Sequence, residues 1–241
     1  MFEVIYNVMY EQGAQFLLRT EGAMAAQYPG KPLWLYADEG FGADNLRVFF
    51  SECLVKEPDL LGLVAPVWAA EVCVSNFSVV DSWEIAAFYL PQLVNHTNQL
   101  NLTAPSERDY TTIAAWMKEF YREALSADYA PEERSVAALV ANGRLYCLEA
   151  PVTGICAMGM RIPVQGESYK MGRLNMIYTP PYLRGMGYGK DITAAISALI
   201  QSEGRLPVLY ARLENENAVR LYRSLGFEEA GRLIEYRFGG R

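Results

Sequence analysis

The chain has 241 residues, of which 51% are hydrophobic and 20% charged, a balance typical of a globular protein. It contains no low-complexity segment and no long run of like charges, which argues against a mainly disordered chain. The net charge of −7 argues against nucleic acid as a partner, because phosphate binding requires a basic face.

Charge is unevenly distributed along the chain. Residues 1–98 contain four basic and twelve acidic residues, whereas residues 99–241 contain seventeen and sixteen. This difference predicts two domains, one over residues 1–98 and one over residues 99–241. An acidic N-terminal surface would favour a cationic substrate by electrostatic attraction, and it fits equally well a solvated face that keeps the protein soluble.

Targeting and metal-binding signals are weak. The first ten residues include Glu3 and no lysine or arginine, unlike the start of a secretory signal peptide. The apolar run at residues 60–70 is shorter than the roughly 20 residues that span a bilayer, so it predicts a buried strand or core segment. The four cysteines form no CxxC pair and His96 is the only histidine. We therefore expect a cytoplasmic protein with no metal and no membrane partner, whose cysteines are small buried hydrophobic residues.

The N-terminal domain has less regular patterns than the rest of the chain. Residues 13–27 have helical character, whereas residues 32–36 and 61–74 are typical of strands. We find no internal repeat and no chemical motif in residues 1–98. A polar segment at residues 96–106 predicts the boundary between the domains.

Two helices are expected after this boundary. Ser106 fits an N-cap with Asp109 in the capping-box position, and the apolar spacing that follows predicts a helix over residues 107–127. Pro131 opens a second helix that ends near Gly143. Three strands are then expected, at residues 144–150, 154–164 and 170–179.

The last hundred residues alternate between helices and strands. A long helix is expected after the glycines and ends at Gly204, followed by a strand at residues 206–213. A short helix then precedes Gly226, and residues 231–238 form the last strand. Helices between neighbouring strands predict a mixed α/β sheet.

The stretch YTPPYLRGMGYGKD, residues 178–191, carries three glycines at every second position. The dinucleotide-binding pattern GxGxxG does not fit, because Lys190 occupies the place of the third glycine. A Walker A loop does not fit either, because Arg184 and Asp191 occupy the places of the first glycine and of the Ser/Thr.

A third pattern, R/Q-x-x-G-x-G/A, does fit this stretch through Arg184, Gly187 and Gly189. The first N–H groups of a helix have no intrahelical acceptors, so together with the helix dipole they can hold a pyrophosphate. Glycines let the phosphates approach the backbone, and Arg184 and Lys190 add positive charge. The alternative is a glycine-rich turn that binds no ligand.

The glycine loop resembles the acetyl-coenzyme A signature of the GNAT N-acetyltransferases. Residues 215–227, NENAVRLYRSLGF, are similar to a second signature of that family, N-x-x-A-x-x-L-Y-x-x-x-G-F. The resemblance covers about residues 100–241. It implies an α/β protein with an α+β mixed sheet, a GNAT-like acetyltransferase domain preceded by a smaller α/β N-terminal domain. Our hypothesis is that this N-terminal domain is a degenerate copy of the same fold that completes or covers the substrate cleft.

The resemblance also implies a site for acetyl-coenzyme A. In that family the strand before the loop parts from its neighbour, and the pantetheine arm of the cofactor adds to the exposed backbone. The residues that correspond to the cofactor site are Ile177, Tyr178, Thr179, Arg184, Gly185, Met186, Gly187, Tyr188, Gly189, Lys190 and Asn215. Tyr222 corresponds to the general acid that protonates the leaving thiolate, and the alternative for Tyr222 is a core aromatic residue.

The implied function is an acetyl-coenzyme A dependent N-acetyltransferase acting on a primary amine of a small molecule or peptide. Glu119, Glu123 and Glu149 are candidates for the general base, and no motif selects among them. The alternatives are a non-catalytic acyl-coenzyme A binding regulatory module and transfer of a different acyl group. The motifs specify no oligomeric state.

Overall fold

The computed structural model describes residues 15–93, 100–125, 129–164 and 171–239, so His96 lies outside the described residues. The chain divides into two compact units. The first takes in the chain up to Phe88 together with Tyr210–Glu216 and the chain from Glu229, and the second consists of Tyr89–Leu209 and Asn217–Glu228. The sequence predicted one boundary, between residues 98 and 99. Each of the two units instead combines segments that are far apart in the chain. The roles assigned to the two domains stay predictions.

The first unit consists of a sheet with two helices. Its elements are β1 (Phe16–Thr20), β2 (Ala23–Gln27), β3 (Leu33–Ala37), α1 (Ala43–Lys56), β4 (Gly62–Ala65), α2 (Val67–Cys73), most of β5 (Val79–Tyr89) and most of β11 (Glu228–Phe238). The strand order is β1-β2-β3-β4-β11-β5. Strands β1 to β3 are antiparallel, β3 and β4 are parallel, and β4 and β11 are antiparallel.

The prediction of a helix over residues 13–27 is wrong. The described part of this segment, residues 15–27, contains the hairpin of β1 and β2. Gly22 adopts a φ of 83° in the turn between them, a conformation that favours glycine. Every residue of β2 is buried, so pairing and burial decide the structure of this alanine-rich segment over its helical character.

The other strands expected in the first unit are confirmed in part. Residues 32–36 contain most of β3. Residues 61–74 contain β4, but the segment continues as helix α2, because Pro66 ends the strand and occupies the N-cap of the helix. Helix α1 and strand β5 had no counterpart in the sequence predictions.

The second unit also consists of a sheet with helices. Its elements are β6 (Asn101–Thr103), α3 (Tyr110–Leu125), α4 (Glu133–Ala141), β7 (Leu145–Ala150), β8 (Gly154–Val164), β9 (Met171–Tyr178), α5 (Tyr188–Ser202), the first part of β10 (Leu206–Arg212) and most of α6 (Glu216–Ser224). The strand order within the unit is β10-β9-β8-β7-β6. Strands β9 and β10 are parallel and the other pairs are antiparallel, which confirms the predicted mixed sheet.

The helices and strands predicted after residue 106 are confirmed, with shifts of a few residues at their ends. The capping interaction predicted before α3 also forms. Asp109 Oδ2 accepts hydrogen bonds from the Ser106 N–H (3.0 Å) and the Ser106 hydroxyl (2.6 Å). Strand β6 lies in the segment, residues 96–106, that the sequence predicted as the boundary between the domains.

Helices cover both faces of the second sheet. Ile113, Trp116 and Met117 of α3 pack against a buried cluster that includes Met158 of β8 and Met176 of β9. On the opposite face, isoleucines of α5 lie so close to Gly159 and Gly172 that a Cβ at either glycine would come within 2.6 Å and 2.7 Å of their side chains. The absence of side chains at these two positions lets α5 lie flat on the strands.

Two parts of the chain repeat one order of elements. The first runs β1-β2-β3-α1-β4-α2-β5, and the C-terminal half of the chain runs β7-β8-β9-α5-β10-α6-β11. In each series the first three strands are antiparallel and the fourth is parallel to the third. This repeat supports the hypothesis that the N-terminal domain is a degenerate copy. The segment at residues 38–46, which leads into α1, carries Asp38 and Glu39 and no arginine or lysine, so it lacks the positive charge that a phosphate requires.

Across the described residues, no helix is long and apolar enough to cross a membrane. The same residues contain no group of three or more histidine, cysteine, aspartate or glutamate side chains that could hold a metal ion. The four cysteines are reduced and buried, which confirms their prediction as small hydrophobic core residues.

Candidate active site

The glycine loop ends in the N-cap of helix α5. Gly187 occupies the N-cap in a left-handed conformation, with a φ of 89° and a ψ of −11°, and no side chain caps the helix. The N–H groups of Lys190 and Asp191 donate to the Gly187 carbonyl at 2.9 Å and 3.1 Å. Tyr188 and Gly189 are the first two residues of α5, and helix geometry provides no intrahelical acceptor for their N–H groups. They are therefore available to an anionic ligand.

The glycines of the loop leave space beside the backbone. Gly185 and Gly187 have φ values of 82° and 89°, and no atom lies within 4 Å of the position that a Cβ would occupy at either residue. Gly189 differs, because a Cβ there would lie 3.5 Å from Leu221 Cδ1 and 3.6 Å from Thr179 Oγ1. Helix α6, the first turn of α5 and the end of β9 thus meet at Gly189, which brings the two sequence motifs together.

Strand β9 parts from β10 before it reaches the loop. The ladder between them pairs Met171 with Leu206 and ends at the pair of Arg173 with Val208, whereas β9 continues to Tyr178. The backbone edge of β9 beyond Arg173 is therefore outside the ladder with β10. An extended ligand could pair with such an edge as an additional strand.

A β-bulge distorts β9 in this region. Met158 and Met160 of β8 lie opposite Tyr178 and Asn175, so β9 has one residue more than β8 between these pairs. Met176 lies in the bulge with a φ of 51°, and its N–H donates to Asn175 Oδ1 at 2.8 Å. The bulge re-aims the side chains and backbone groups at the end of the strand.

The last residues of β9 face alternate sides. The Ile177 side chain lies near Gly159 on the α5 side, and Tyr178 is buried on the other side with its ring centroid 6.3 Å from that of Trp116. Thr179 follows the strand, and its hydroxyl oxygen is buried without a hydrogen-bond partner among the described residues. A buried polar group without a partner is uncommon and indicates a contact that a ligand could supply.

Arg184 connects the loop to its surroundings. Its Nε–H donates to the Thr179 carbonyl at 3.0 Å, and Nη2 donates to Glu123 Oε2 of α3 at 2.6 Å. The guanidinium also lies 5.6 Å from the centroid of the Tyr178 ring. Arg184 thereby braces the loop against α3 and the end of β9, and its predicted contact with a pyrophosphate stays a prediction.

Tyr222 lies on α6, one residue after Leu221. It is only 9% exposed, and its ring packs at a tilt against Phe227 with 5.8 Å between the ring centroids. Burial raises the pKa of Tyr222 to about 12, because the charged phenolate would be desolvated. The phenol therefore keeps its proton at neutral pH, as a general acid must. This burial also fits a core aromatic residue, so the catalytic role stays a prediction.

Each carboxylate considered as a base is paired with an arginine. Glu119 accepts from Arg122 Nε at 3.0 Å, Glu123 accepts from Arg184, and Glu149 lies 3.5 Å from Arg108. These contacts select none of the three. Asn215 lies directly before α6, where its N–H donates to the Arg212 carbonyl at 3.0 Å, and it belongs to the first unit. Its role toward the cofactor stays a prediction.

A cavity of ≈ 380 Å³ adjoins the bulge of β9 within the second unit. Helices α3 and α4 and strands β8 and β9 contribute to its lining, which consists of Met117, Tyr121, Tyr129, Ser135, Ala138, Leu139, Asn142, Arg144, Met160, Asn175 and Met176. The sequence patterns did not indicate Arg144 and Asn175, which line this cavity. No local signal marks them, because the cavity forms only when separate elements pack together.

Comparisons with known proteins concern the fold and the C-terminal part of the chain. Residues 150–237 match the family model described as FR47-like protein. A GNAT-family acetyltransferase from Colwellia psychrerythraea superposes with a TM-score of 0.62 at 12% identity, over 93% of this chain and 85% of that chain. A GCN5-related N-acetyltransferase from Kribbella flavida superposes with a TM-score of 0.61 at 14% identity, over 99% of this chain and 96% of that chain. A comparison with curated protein sequences finds no match.

The family-model match contains both the glycine loop and the motif that ends in Gly226 and Phe227. The structural matches show that the described fold is shared with GNAT acetyltransferases. Residues 150–237 thus match the FR47-like family model, and the fold of the chain is that of GNAT acetyltransferases.

Proposed function

We propose that the protein is an N-acyltransferase that moves an acetyl group from acetyl-coenzyme A to a primary amine of a small molecule or peptide. The observation that carries this proposal is the meeting of the start of α5, the end of β9 and helix α6 at Gly189. The start of α5 that we propose to hold the pyrophosphate, the edge of β9 outside the ladder with β10 and the buried phenol of Tyr222 lie on neighbouring elements of one unit.

The residues of the loop and of β9 fit coenzyme A. The N–H groups at the start of α5 and the Lys190 side chain would hold the pyrophosphate, because Gly185 and Gly187 leave the backbone open. The edge of β9 over Ile177–Tyr178 and the Thr179 hydroxyl would hold the pantetheine arm. Tyr182 and Met186 are 71% and 60% exposed, which leaves apolar surface for the adenine ring.

Acetyl-coenzyme A would supply the acyl thioester, and residues of this chain would assist the transfer. The acceptor nitrogen forms a bond to the acyl carbon as the carbon–sulfur bond breaks. The proton that the nitrogen loses balances the proton that the leaving sulfur takes up. Backbone N–H groups of β9 beyond Met176 would stabilise the negative charge that develops on the carbonyl oxygen, since the Met176 N–H already donates to Asn175 Oδ1.

Tyr222 would donate a hydrogen bond to the leaving sulfur. A thiol has an unperturbed pKa of about 8.5, so a phenol with a pKa of about 12 is the weaker acid. Complete proton transfer from Tyr222 to the sulfur is therefore unfavourable in this environment. The burial of Tyr222 therefore favours a role as a neutral hydrogen-bond donor, which lowers the energy of the developing thiolate without giving up its proton early.

Release of coenzyme A with a panel of primary amines tests the proposal. We expect turnover with at least one amine, and we expect Tyr222→Phe to lower kcat by about 10² with a small change in KM for acetyl-coenzyme A. Tyr110→Phe, which removes a hydroxyl from α3, is the matched control and should leave kcat within about twofold. Unchanged turnover in Tyr222→Phe would remove the catalytic role of Tyr222.

A second candidate function is a non-catalytic acyl-coenzyme A binding regulatory module. The observation that favours it is the pairing of Glu119, Glu123 and Glu149 with arginines, which leaves no carboxylate singled out as a base. Tight binding of acetyl-coenzyme A without turnover on any amine would support this module. Turnover with a longer acyl thioester, and none with acetyl, would instead indicate a different acyl group.

A further inference from the structure

The cavity beside the bulge of β9 has a wall in common with the proposed thioester site. Asn175 and Met176 line the cavity, and the next residue, Ile177, begins the segment proposed to hold the pantetheine arm. A molecule in the cavity would thus lie within one or two residues along the strand from the segment that holds the thioester arm. Its volume of ≈ 380 Å³ falls in the range of small-molecule sites.

Two polar groups of the cavity, the Asn175 amide and the Arg144 guanidinium, offer hydrogen-bond donors to a ligand. Asn175 Oδ1 accepts from the Met176 N–H, which orients the amide and leaves its NH₂ group for a ligand. Arg144 lines the cavity, and no carboxylate of the described residues lies within ion-pair distance of its guanidinium. Arg144 is exposed, so water solvates its guanidinium in the free protein, and a ligand group with oxygen lone pairs and a negative charge could replace this water through charge-assisted hydrogen bonds.

The ionised side chains that line the cavity carry only positive charge among the described residues. Among the described residues, the only ionised side chain in the lining is Arg144, because aspartate and glutamate are absent from it. A polyamine or another multiply cationic acceptor would find no counter-charge here. The acidity of residues 1–98 fits either a cationic substrate or a solvated face, and the lining of this cavity does not favour a cationic substrate.

The rest of the lining is apolar and aromatic. Met117, Met160 and Met176 form adaptable apolar walls. Tyr121 and Tyr129 lie with their ring centroids 4.6 Å apart at an angle of 56°, and they add an aromatic surface. These walls suit an apolar or aromatic ligand body of moderate size.

We propose that this cavity binds the acceptor and selects an amino carboxylate with an apolar or aromatic side chain. Arg144 and the Asn175 amide hold the carboxylate, and the methionine and tyrosine side chains contact the body of the acceptor. The amino group is then the nucleophile that reaches toward the thioester arm. The proposal rests on the acyltransfer function proposed above and adds the class of acceptor.

Three acceptors that differ only at the carboxylate test this selection. L-Phenylalanine carries the carboxylate, L-phenylalaninamide replaces it with a neutral amide, and phenethylamine lacks it. We expect KM for L-phenylalanine to be at least about tenfold lower than for the other two, because a charge-assisted hydrogen bond would be lost with each. Arg144→Gln should raise KM for L-phenylalanine about tenfold or more and leave KM for phenethylamine within about twofold.

Arg134→Gln is the matched control, because Arg134 is an exposed arginine on α4 outside the cavity lining. It should leave all three KM values within about twofold. Equal KM values for the three acceptors, or an equal effect of Arg144→Gln on all of them, would overturn the proposal while leaving acyl transfer intact.

A second pair of variants separates this proposal from the proposed function. Ala138→Trp places a large side chain at the mouth of the cavity, whereas Ala141→Trp places it at an exposed position of α4 outside the lining. Calorimetric titration should show unchanged acetyl-coenzyme A binding in both, with L-phenylalanine turnover lost only in Ala138→Trp. Retained turnover in Ala138→Trp would overturn the cavity assignment. If the wild-type protein did not bind acetyl-coenzyme A in this titration, that result would instead overturn the acyltransfer function.

Discussion

Tyr222 and Arg184 show how single side chains of the candidate site are constrained by their neighbours. Burial keeps the Tyr222 phenol neutral, whereas Arg184 is held by the Thr179 carbonyl and the Glu123 carboxylate. A motif read from the sequence names both residues but gives neither constraint. The constraints matter for function because they fix the protonation state of Tyr222 and the conformation of the loop.

The raised pKa of Tyr222 predicts the pH dependence of the transfer step. Because the pKa is about 12, the phenol remains protonated through pH 10, and loss of its proton should not lower kcat below that pH. The measurement is kcat between pH 7 and 10 at saturating acceptor, for the wild type and Tyr222→Phe. A decline in this range that is present in the wild type and absent in Tyr222→Phe would contradict the assignment.

At the scale of elements, the site depends on how closely α5 lies on strands β8 and β9. Gly159 allows this contact, because Ile196 of α5 and Ile177 of β9 occupy the space that a side chain would fill. The same contact places Ile177 at the edge proposed for the pantetheine arm. A substitution at Gly159 is therefore expected to affect both the packing of α5 and the binding of the cofactor.

Gly159→Ala tests this coupling. Its Cβ would lie 2.6 Å from Ile196 Cδ1 and 2.8 Å from Ile177 Cδ1, so these side chains must move. We expect a loss of about 1–3 kcal/mol in the free energy of unfolding and weaker binding of acetyl-coenzyme A. Gly40→Ala is the control, because no atom lies within 4 Å of its Cβ position. Urea unfolding and calorimetric titration of both variants provide the measurement, and equal effects would refute the coupling.

The elements of the second unit were largely predictable from the sequence, and those of the first were not. Helices α3, α5 and α6 have clear apolar faces and local start or stop signals such as Ser106, Gly204 and Gly226. Strand β2 carries no local β signal, because its alanines owe their extended structure to burial and pairing on both sides. Local patterns therefore suffice where they agree with the tertiary environment.

The candidate site was predictable only where a motif is contiguous. The loop and α6 follow from two motifs, and the structure brings them together at Gly189. The bulge at Met176 and the cavity beside Arg144 depend on contacts between distant segments. A positive φ at a methionine has no signal in the residue itself, since glycine or asparagine would be expected there.

At the scale of the whole molecule, both units contain buried groups that resist ionisation. Burial raises the pKa of Cys53, Cys73 and Cys147 to about 12, and Tyr222 is raised similarly. Cys53 and Cys73 belong to the first unit, and Cys147 and Tyr222 to the second. The two units are therefore expected to share a sensitivity to alkaline pH.

The stability of the protein should fall as the pH rises above about 9. Between the unfolded and folded pKa values the folded state retains protons that the unfolded state has lost, so unfolding becomes easier with rising pH. Each group contributes at most about 1.4 kcal/mol per pH unit in this window. Urea midpoints at pH 8 and pH 10 provide the measurement, and Cys147→Ala should reduce the difference between them. Equal midpoints at the two pH values would contradict the prediction.

The central claim is that the start of α5 holds the pyrophosphate of acetyl-coenzyme A, and one calorimetric titration tests it most directly. Lys190→Glu reverses a charge in the first turn of α5, whereas Lys118→Glu makes the same change at an exposed position of α3. We predict that acetyl-coenzyme A binds the wild type and Lys118→Glu with similar affinity, and Lys190→Glu at least about tenfold more weakly. Equal affinity in all three proteins, or no binding by the wild type, would contradict the account.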